Sequence, residues 1–132
     1  MNFPTPPNNA EVFEGEIATY WFDNYGILIS VSKNSKRTVQ NITDNVDFVK
    51  KITGNKTVPV LIYLSKSPVP DKETRRFASE QLPKIYAAMA MVSNDKLGKF
   101  IMNILFKFKR PPIPMKNFDN DKEAKQWLKQ FL

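Results

Sequence analysis

Few side chains in this sequence are both chemically capable and close together. Asp71 with Glu73, and Asp119 with Asp121 and Glu123, are the closely spaced carboxylates at loop-to-helix positions, where acid/base or divalent-metal chemistry would first be sought. Both groups have a simpler use. Acidic residues in a first helical turn offset the positive end of the helix dipole, and Asp121 and Glu123 point to different faces of a helix, so a metal would need ligands from outside. No metal and no cofactor is expected. Ser65, Ser67 and Thr74 are hydroxyls beside the Asp71 terminus, where backbone N–H groups would stabilise an added phosphate. Ser67 is the best-placed phospho-acceptor. The preferred reading is plainer: Ser65 and Ser67 satisfy turn backbone groups, and Thr74 faces the core.

Histidine and cysteine are both absent. This removes the commonest general base and zinc ligand, every Ser-His or Cys-His dyad, all thiolate metal sites and all disulfides. An enzyme would have to work with Lys, Tyr or carboxylates, so a non-catalytic role is expected. Tyr20, Trp21, Phe22 and Tyr25 are clustered enough to stack on bases or a ring-shaped ligand. Strand alternation, however, puts Tyr20 and Phe22 on one face and Trp21 on the other, and basic residues do not interleave with them. Core plus rim is the expectation. The 20 basic and 13 acidic residues leave a formal charge of +7, which favours anionic partners without choosing among nucleic acid, acidic proteins and lipid surfaces. No helix-turn-helix or RNP-type motif accompanies that charge, and specific nucleic-acid binding is not expected.

These residues must be positioned by one domain, because 132 residues supply one sizeable core and not two. Residues 1–10 are rich in proline and asparagine and read as a flexible arm, leaving 11–132 as the folded unit. The opening MNFPTPPNNAEVF has neither the basic nor the apolar region of a secretory signal, and no apolar run reaches the roughly 18 residues of a membrane span. A cytoplasmic protein is expected. The β-rich runs 11–23 and 26–32, joined through Asn24, Tyr25 and Gly26, predict an antiparallel hairpin. Thr38 caps a helix with Val39, Ile42, Val46, Val49 and Ile52 on one face, stopped at Gly54 and Asn55. VPVLIYL, 58–64, reads as a central parallel strand covered on both faces. Asp71 opens a second helix that should end at Pro83, and 85–92, IYAAMAMV, should be another buried strand. A third helix follows Asn94 or Asp95. A short strand at 115–118 leads into a last helix with Ala124, Trp127, Leu128, Phe131 and Leu132 as its apolar stripe. The order is ββαβαβαβα, an α/β fold with a mostly parallel sheet and an antiparallel edge hairpin.

In that order the segments YWFDNYGILISVSK, VPVLIYLSKSPVPDKETR, KIYAAMAMVSNDKLGKFIMNILF and FDNDKEAKQWL resemble the SpoIIAA-like branch of the STAS superfamily. The resemblance implies a sheet flanked by helices and a non-enzymatic module that binds a protein partner, with nucleotide or lipid-like ligands in some members. Regulatory members carry an Asp-Ser pair at the start of the helix after the central strand, where the serine is phosphorylated. The matching position here is Asp71-Lys72, so the acceptor serine is missing.

One segment stands out against this plan. In LGKFIMNILFKFKRPPIPMK, 97–116, Leu97, Phe100, Ile101, Ile104, Leu105 and Phe108 follow helical spacing and read as core. Met102 and Phe106 lie on the reverse side, close to Lys99, Lys109, Arg110 and Lys116. An apolar pair rimmed by cations is expected to meet a protein partner or a second copy of the chain. The alternatives are peripheral contact with an anionic membrane, an apolar small ligand, or cover from residues 113–115 of the same chain.

Overall fold

The structure is a computed structural model and describes residues 4–64, 68–93 and 110–132. Its first helix, α1 (Val39–Thr53), forms where the apolar spacing requires it. The Thr38 hydroxyl accepts from the Asn41 N–H at 3.0 Å, and the Asn41 side chain accepts from the Thr38 N–H at 2.8 Å, a reciprocal cap that satisfies two otherwise orphaned donors. Gly54 ends the helix in the left-handed region, with φ 64°, where a side chain would be strained. Ile42, Val46 and Val49 are buried, while Val39, expected on the same face, is exposed. It occupies the first helical position, ahead of the part of the stripe that reaches the sheet.

The run 11–23, expected as one strand, is two: β1 (Phe13–Glu14) and β2 (Ala18–Phe22). The Gly15 N–H donates to the Ala18 carbonyl at 2.9 Å, which folds β1 back antiparallel to β2. A Cβ at Gly15 would lie 3.0 Å from that carbonyl and 3.2 Å from the Phe48 ring, so the turn depends on a residue without one. After β3 (Leu28–Ser32), α1 leads to β4 (Val58–Tyr63), α2 (Lys72–Ile85) to β5 (Tyr86–Val92), and β6 (Met115–Phe118) precedes α3 (Asp121–Leu128) and a 3-10 turn, Lys129–Phe131. The six strands lie in sequence order across one sheet. β2 runs antiparallel to its neighbours β1 and β3, whereas β3 to β6 run parallel.

Two successive crossovers moving the same way across a parallel sheet put both helices on one face. α1 accordingly packs on the face formed by Leu28, Val60, Ile62, Met89 and Met91, with Ile85 and Leu82 of α2 in the same cluster. α3 covers the opposite face, where Ala124 and Leu128 meet Ile27, Ile29, Leu61, Ala88 and Ala90. Both faces of β4 are therefore buried, as its unbroken apolar run requires. Tyr20 and Trp21 point to opposite faces as alternation demands, but both are buried, so neither forms a rim. Residues 4–10 contain no strand or helix; Ala10 packs against the α3 side, and its N–H donates to the Pro7 carbonyl.

Two helix ends differ from expectation. α2 runs through Pro83 to Ile85, and the strand starts one residue later, at Tyr86. Proline's fixed φ is itself helical, and Pro83 sits on the exposed side, where water can take the carbonyl left without its N–H. Leu132, expected on the last apolar stripe, is 59% exposed, because the helix tightens into the 3-10 turn after Leu128 and carries the chain end off the sheet. Trp127 instead bridges Phe118 and Phe131, with ring centroids 5.8 and 5.0 Å away.

This layering makes Leu128→Ala costly and Leu132→Ala nearly silent. Denaturant unfolding should show a loss of about 2–5 kcal/mol for the first and a change within about 0.5 kcal/mol for the second.

Candidate functional site

On the α1/α2 face, strand alternation aligns Ala18 and Tyr20 of β2 with Ser30 and Ser32 of β3, since Ala18 pairs with Ser32 and Tyr20 with Ser30. Tyr20 and Ser30 are both buried at positions where the surrounding strand calls for apolar residues. Asn45 occupies a similar place on α1, between Ile42, Val46 and Val49. The three polar groups meet: the Tyr20 hydroxyl donates to Asn45 Oδ1 at 3.0 Å, Asn45 Nδ2 lies 2.8 Å from the same hydroxyl, and the Ser30 side chain lies beside it.

A fourth member, Tyr86, reaches this group because β5 is irregular. The pairing of β4 with β5 skips a residue between Val58↔Tyr86 and Pro59↔Ala88. Pro59 has no N–H to give the ladder, and an extra residue on the partner strand is how sheets absorb such a gap. Met89 and Met91 face α1 and α2, while Ala88 and Ala90 face α3. Regular alternation would send Tyr86 to the α3 side; the extra residue, Ala87, returns it to the α1/α2 side. There its phenol is an electrostatic neighbour of Tyr20.

Above these residues the helices do not close on the sheet. A cavity of about 170 Å³ remains, floored by Ala18, Tyr20, Ser30, Ile62 and Tyr86 and walled by α1 and α2. Its rim lies at the carboxyl ends of β3 and β4, formed by Ser32, Leu64, Arg37 and Arg75. The helices that follow those strands begin nearby, so the positive ends of α1 and α2 point toward the same region, which in parallel sheets is the usual place for a ligand.

The lining includes Arg37 and Arg75 and, among the described residues, no carboxylate. Arg37 is held by neutral groups: Nη1 donates to the Lys33 and Ser35 carbonyls at 3.0 and 2.6 Å and to the Ser35 hydroxyl at 3.0 Å, and Nη2 donates to the Ile17 carbonyl at 3.2 Å. Burial pulls its pKa below the ordinary arginine value. Lys33, close in sequence, has by contrast a carboxylate partner in Glu14, at 2.9 Å. Arg75 donates to the Pro70 carbonyl at 2.7 Å and has Asp71 as a charge neighbour. Burial also raises the pKa values of the Tyr20 and Tyr86 phenols, so both stay protonated at neutral pH.

The residues singled out from the sequence do not assemble into this site. Asp71 caps α2, its Oδ1 accepting the Thr74 N–H at 2.8 Å, and this hydrogen bond is the main cause holding its carboxyl below the usual range. Thr74 is buried, as expected. Asn120 caps α3 by accepting the Glu123 N–H, while Asp121 accepts the Tyr63 hydroxyl at 2.8 Å and ties α3 to β4. Among the described residues, no group of His, Cys, Asp or Glu side chains is placed to hold a metal ion. Ser65 and Ser67 lie outside the described residues, as do Lys99, Met102, Phe106 and Lys109. Arg110 is exposed, and Ile113 and Met115 pack into the α1/α2-side core. No helix among the described residues is long and apolar enough to cross a membrane.

The cavity residues were visible in the sequence only as polar interruptions: Ser30 in GILISVS, Asn45 on the apolar face of α1, and Arg37 just before the cap. Nothing in the sequence signals Tyr86, because its orientation depends on the register shift.

Fold and cavity together define an α/β domain with a six-stranded mixed sheet and one side opened as a pocket. A family model described as a domain of unknown function, DUF7793, matches residues 20–132, and the chain belongs to that family. No curated protein and no solved structure matches the chain.

Removing the Tyr20 hydroxyl with Tyr20→Phe leaves the Asn45 amide short of its partner and should cost about 1–3 kcal/mol at neutral pH. Both buried phenols titrate above their unfolded value of roughly 10. The stability they protect is therefore complete below that pH and is lost as pH rises through it toward the folded values, by up to about 1.4 kcal/mol per pH unit for each tyrosine. Denaturant unfolding at stepped alkaline pH, with tyrosinate absorbance followed in parallel, should show this fall, and Tyr20→Phe should remove one phenol's share of the slope.

Proposed function

We propose that this chain is a non-catalytic binding module with a STAS-like fold, and that it holds a small, largely apolar molecule in the cavity between α1, α2 and the sheet. The cavity itself carries the reading. Protein interiors are close-packed, and a space of about 170 Å³ at the carboxyl ends of parallel strands is both an unusual omission and the common location of a ligand. A dry cavity of about 150 Å³ is enough for benzene, which sets the occupant at the size of a single ring or a short chain.

The STAS-like reading is supported by the run of parallel strand-helix units that follows the antiparallel strands. A non-catalytic role is supported by the groups available in the cavity. Among the described residues its ionisable side chains are two arginines and two tyrosines, and with phenols raised by burial none of them exchanges protons readily near neutral pH. The described cavity carries this proposal, and the Met102 and Phe106 face does not enter it.

The test is a titration with ring-bearing probes, benzyl alcohol and benzoate, followed by amide NMR and thermal unfolding. Resonances of residues lining the cavity should move, and the melting temperature should rise with ligand concentration. Ala78→Phe, which directs a ring from α2 into the space, should leave a folded protein that no longer responds. If neither probe moves a cavity resonance in the natural chain, the ligand-binding reading is wrong.

A further inference from the structure

We propose that the cavity is selective for a small organic carboxylate, its apolar body lying over Tyr20, Ile62 and Tyr86 and its carboxylate bound by Arg37. This rests on the cavity being a ligand site and adds the charge and polarity of the occupant.

The argument begins with donor counting. A guanidinium has five N–H donors and no acceptor. In Arg37, Nη1 serves three acceptors and Nη2 serves one, the Ile17 carbonyl. Nε has no hydrogen bond to a described residue, and Nη2 has one hydrogen more than its single acceptor uses. Backbone carbonyls and the Ser35 hydroxyl thus hold the guanidinium in place while leaving Nε–H and one Nη2 hydrogen uncommitted among the described residues, and arginine N–H groups are what a carboxylate accepts.

Charge points the same way. Arg37 is half-buried and makes no ion pair among the described residues; its neighbour Tyr20 is kept neutral by burial. Desolvating a cation without a counter-ion is unfavourable, and an anion in the cavity would offset that cost. Arg75 sits on the same rim, and the amino ends of α1 and α2 add positive potential. Among the described residues, the lining contains no aspartate or glutamate to repel an anion.

The remaining lining selects the body of the ligand. Ile17, Ile42, Val46, Ile62, Leu82 and Met89 surround the space, and they disfavour a strongly hydrated polyanion while accepting a hydrocarbon ring or short chain. Benzoate matches both requirements. Benzyl alcohol has nearly the same shape without the charge, so the pair isolates the contribution of Arg37.

The decisive measurement is the ratio of dissociation constants for benzyl alcohol and benzoate with the full chain at neutral pH, by calorimetry or NMR titration. A hydrogen-bonded charge contact corresponds to benzoate binding roughly ten- to hundred-fold more tightly, with the Arg37 Nε–H resonance moving on benzoate addition. Arg37→Gln should bring the ratio close to one and leave benzyl alcohol affinity nearly unchanged, and Arg37→Lys should retain part of the preference. Equal binding of the two probes by the natural chain would overturn carboxylate selectivity while leaving the ligand-binding reading intact. Tight benzoate binding that leaves the Arg37 Nε–H resonance in place, or that disappears in Arg75→Gln but survives in Arg37→Gln, would overturn Arg37 as the anchor. Should Arg37→Gln fail to fold, the ratio and the Nε–H shift in the natural chain decide the matter, and binding of neither probe removes both proposals.

Discussion

The structure turns on one buried hydroxyl. Tyr20 lies on β2, and its phenol gathers Ser30 from β3, Asn45 from α1 and Tyr86 from β5. Residues of four elements thus meet around one side chain, with Tyr20 only 2% exposed. A buried polar group is tolerated when it is hydrogen-bonded and costly when it is not. The arrangement therefore fixes relative position more sharply than apolar packing alone: α1 must bring Asn45 over β2, and β5 must present Tyr86 on the correct face.

That second requirement connects the hydroxyl to the irregularity at Pro59. A proline in a central strand removes a ladder donor, and the skipped residue opposite it could be taken for damage control. Its effect is larger, because it reverses the facing of Tyr86 relative to the rest of β5. The strand can then keep small alanines on the side that α3 covers closely and methionines on the other, while its first residue joins the polar cluster. The two faces of the sheet diverge from this point. The α3 face is filled by Trp21, Leu61, Trp127 and Leu128 with their neighbours. The α1/α2 face holds polar groups in its floor, and α2 contributes only Thr74 and Ile85 as buried residues. A helix that buries so little of itself leaves room beneath it.

The sequence disclosed the parts of this fold whose signals are local. The cap at Thr38, the stop at Gly54, the apolar run of β4, the cap at Asp71 and the stripe of Ala124 and Leu128 each follow from residues within a few positions of one another. The failures have equally specific causes. The split of 11–23 depends on the contact between Gly15 and the Phe48 ring, which comes from another element. Pro83 reads locally as a stop, yet its geometry suits the last turn of a helix with an exposed face. The candidate site was the least legible, because its members stand one at a time in apolar surroundings and acquire meaning only when strand pairing and the β5 register bring them together. The carboxylates at the helix ends attracted notice first and are engaged in capping or in tying α3 to the sheet.

Arg37 shows how fold and site share one residue. Its hydrogen bonds to the Lys33, Ser35 and Ile17 carbonyls close the loop between β3 and α1 against the segment before β2, so the cation has a structural use at the edge of the sheet. A loop clamp of that kind could be built from neutral donors, yet here it carries a charge, placed without a carboxylate partner among the described residues, beside a cavity and next to the positive end of α1. Lys33, four residues earlier, performs a similar task for the Gly15 carbonyl and is neutralised by Glu14. The difference between these two cations lies in what faces them: Lys33 meets a carboxylate of its own chain, whereas Arg37 faces an apolar space bounded by neutral hydroxyls. An uncompensated charge is most unfavourable when its surroundings are dry and least so when an anion can enter, and the shape of the cavity makes entry the available remedy.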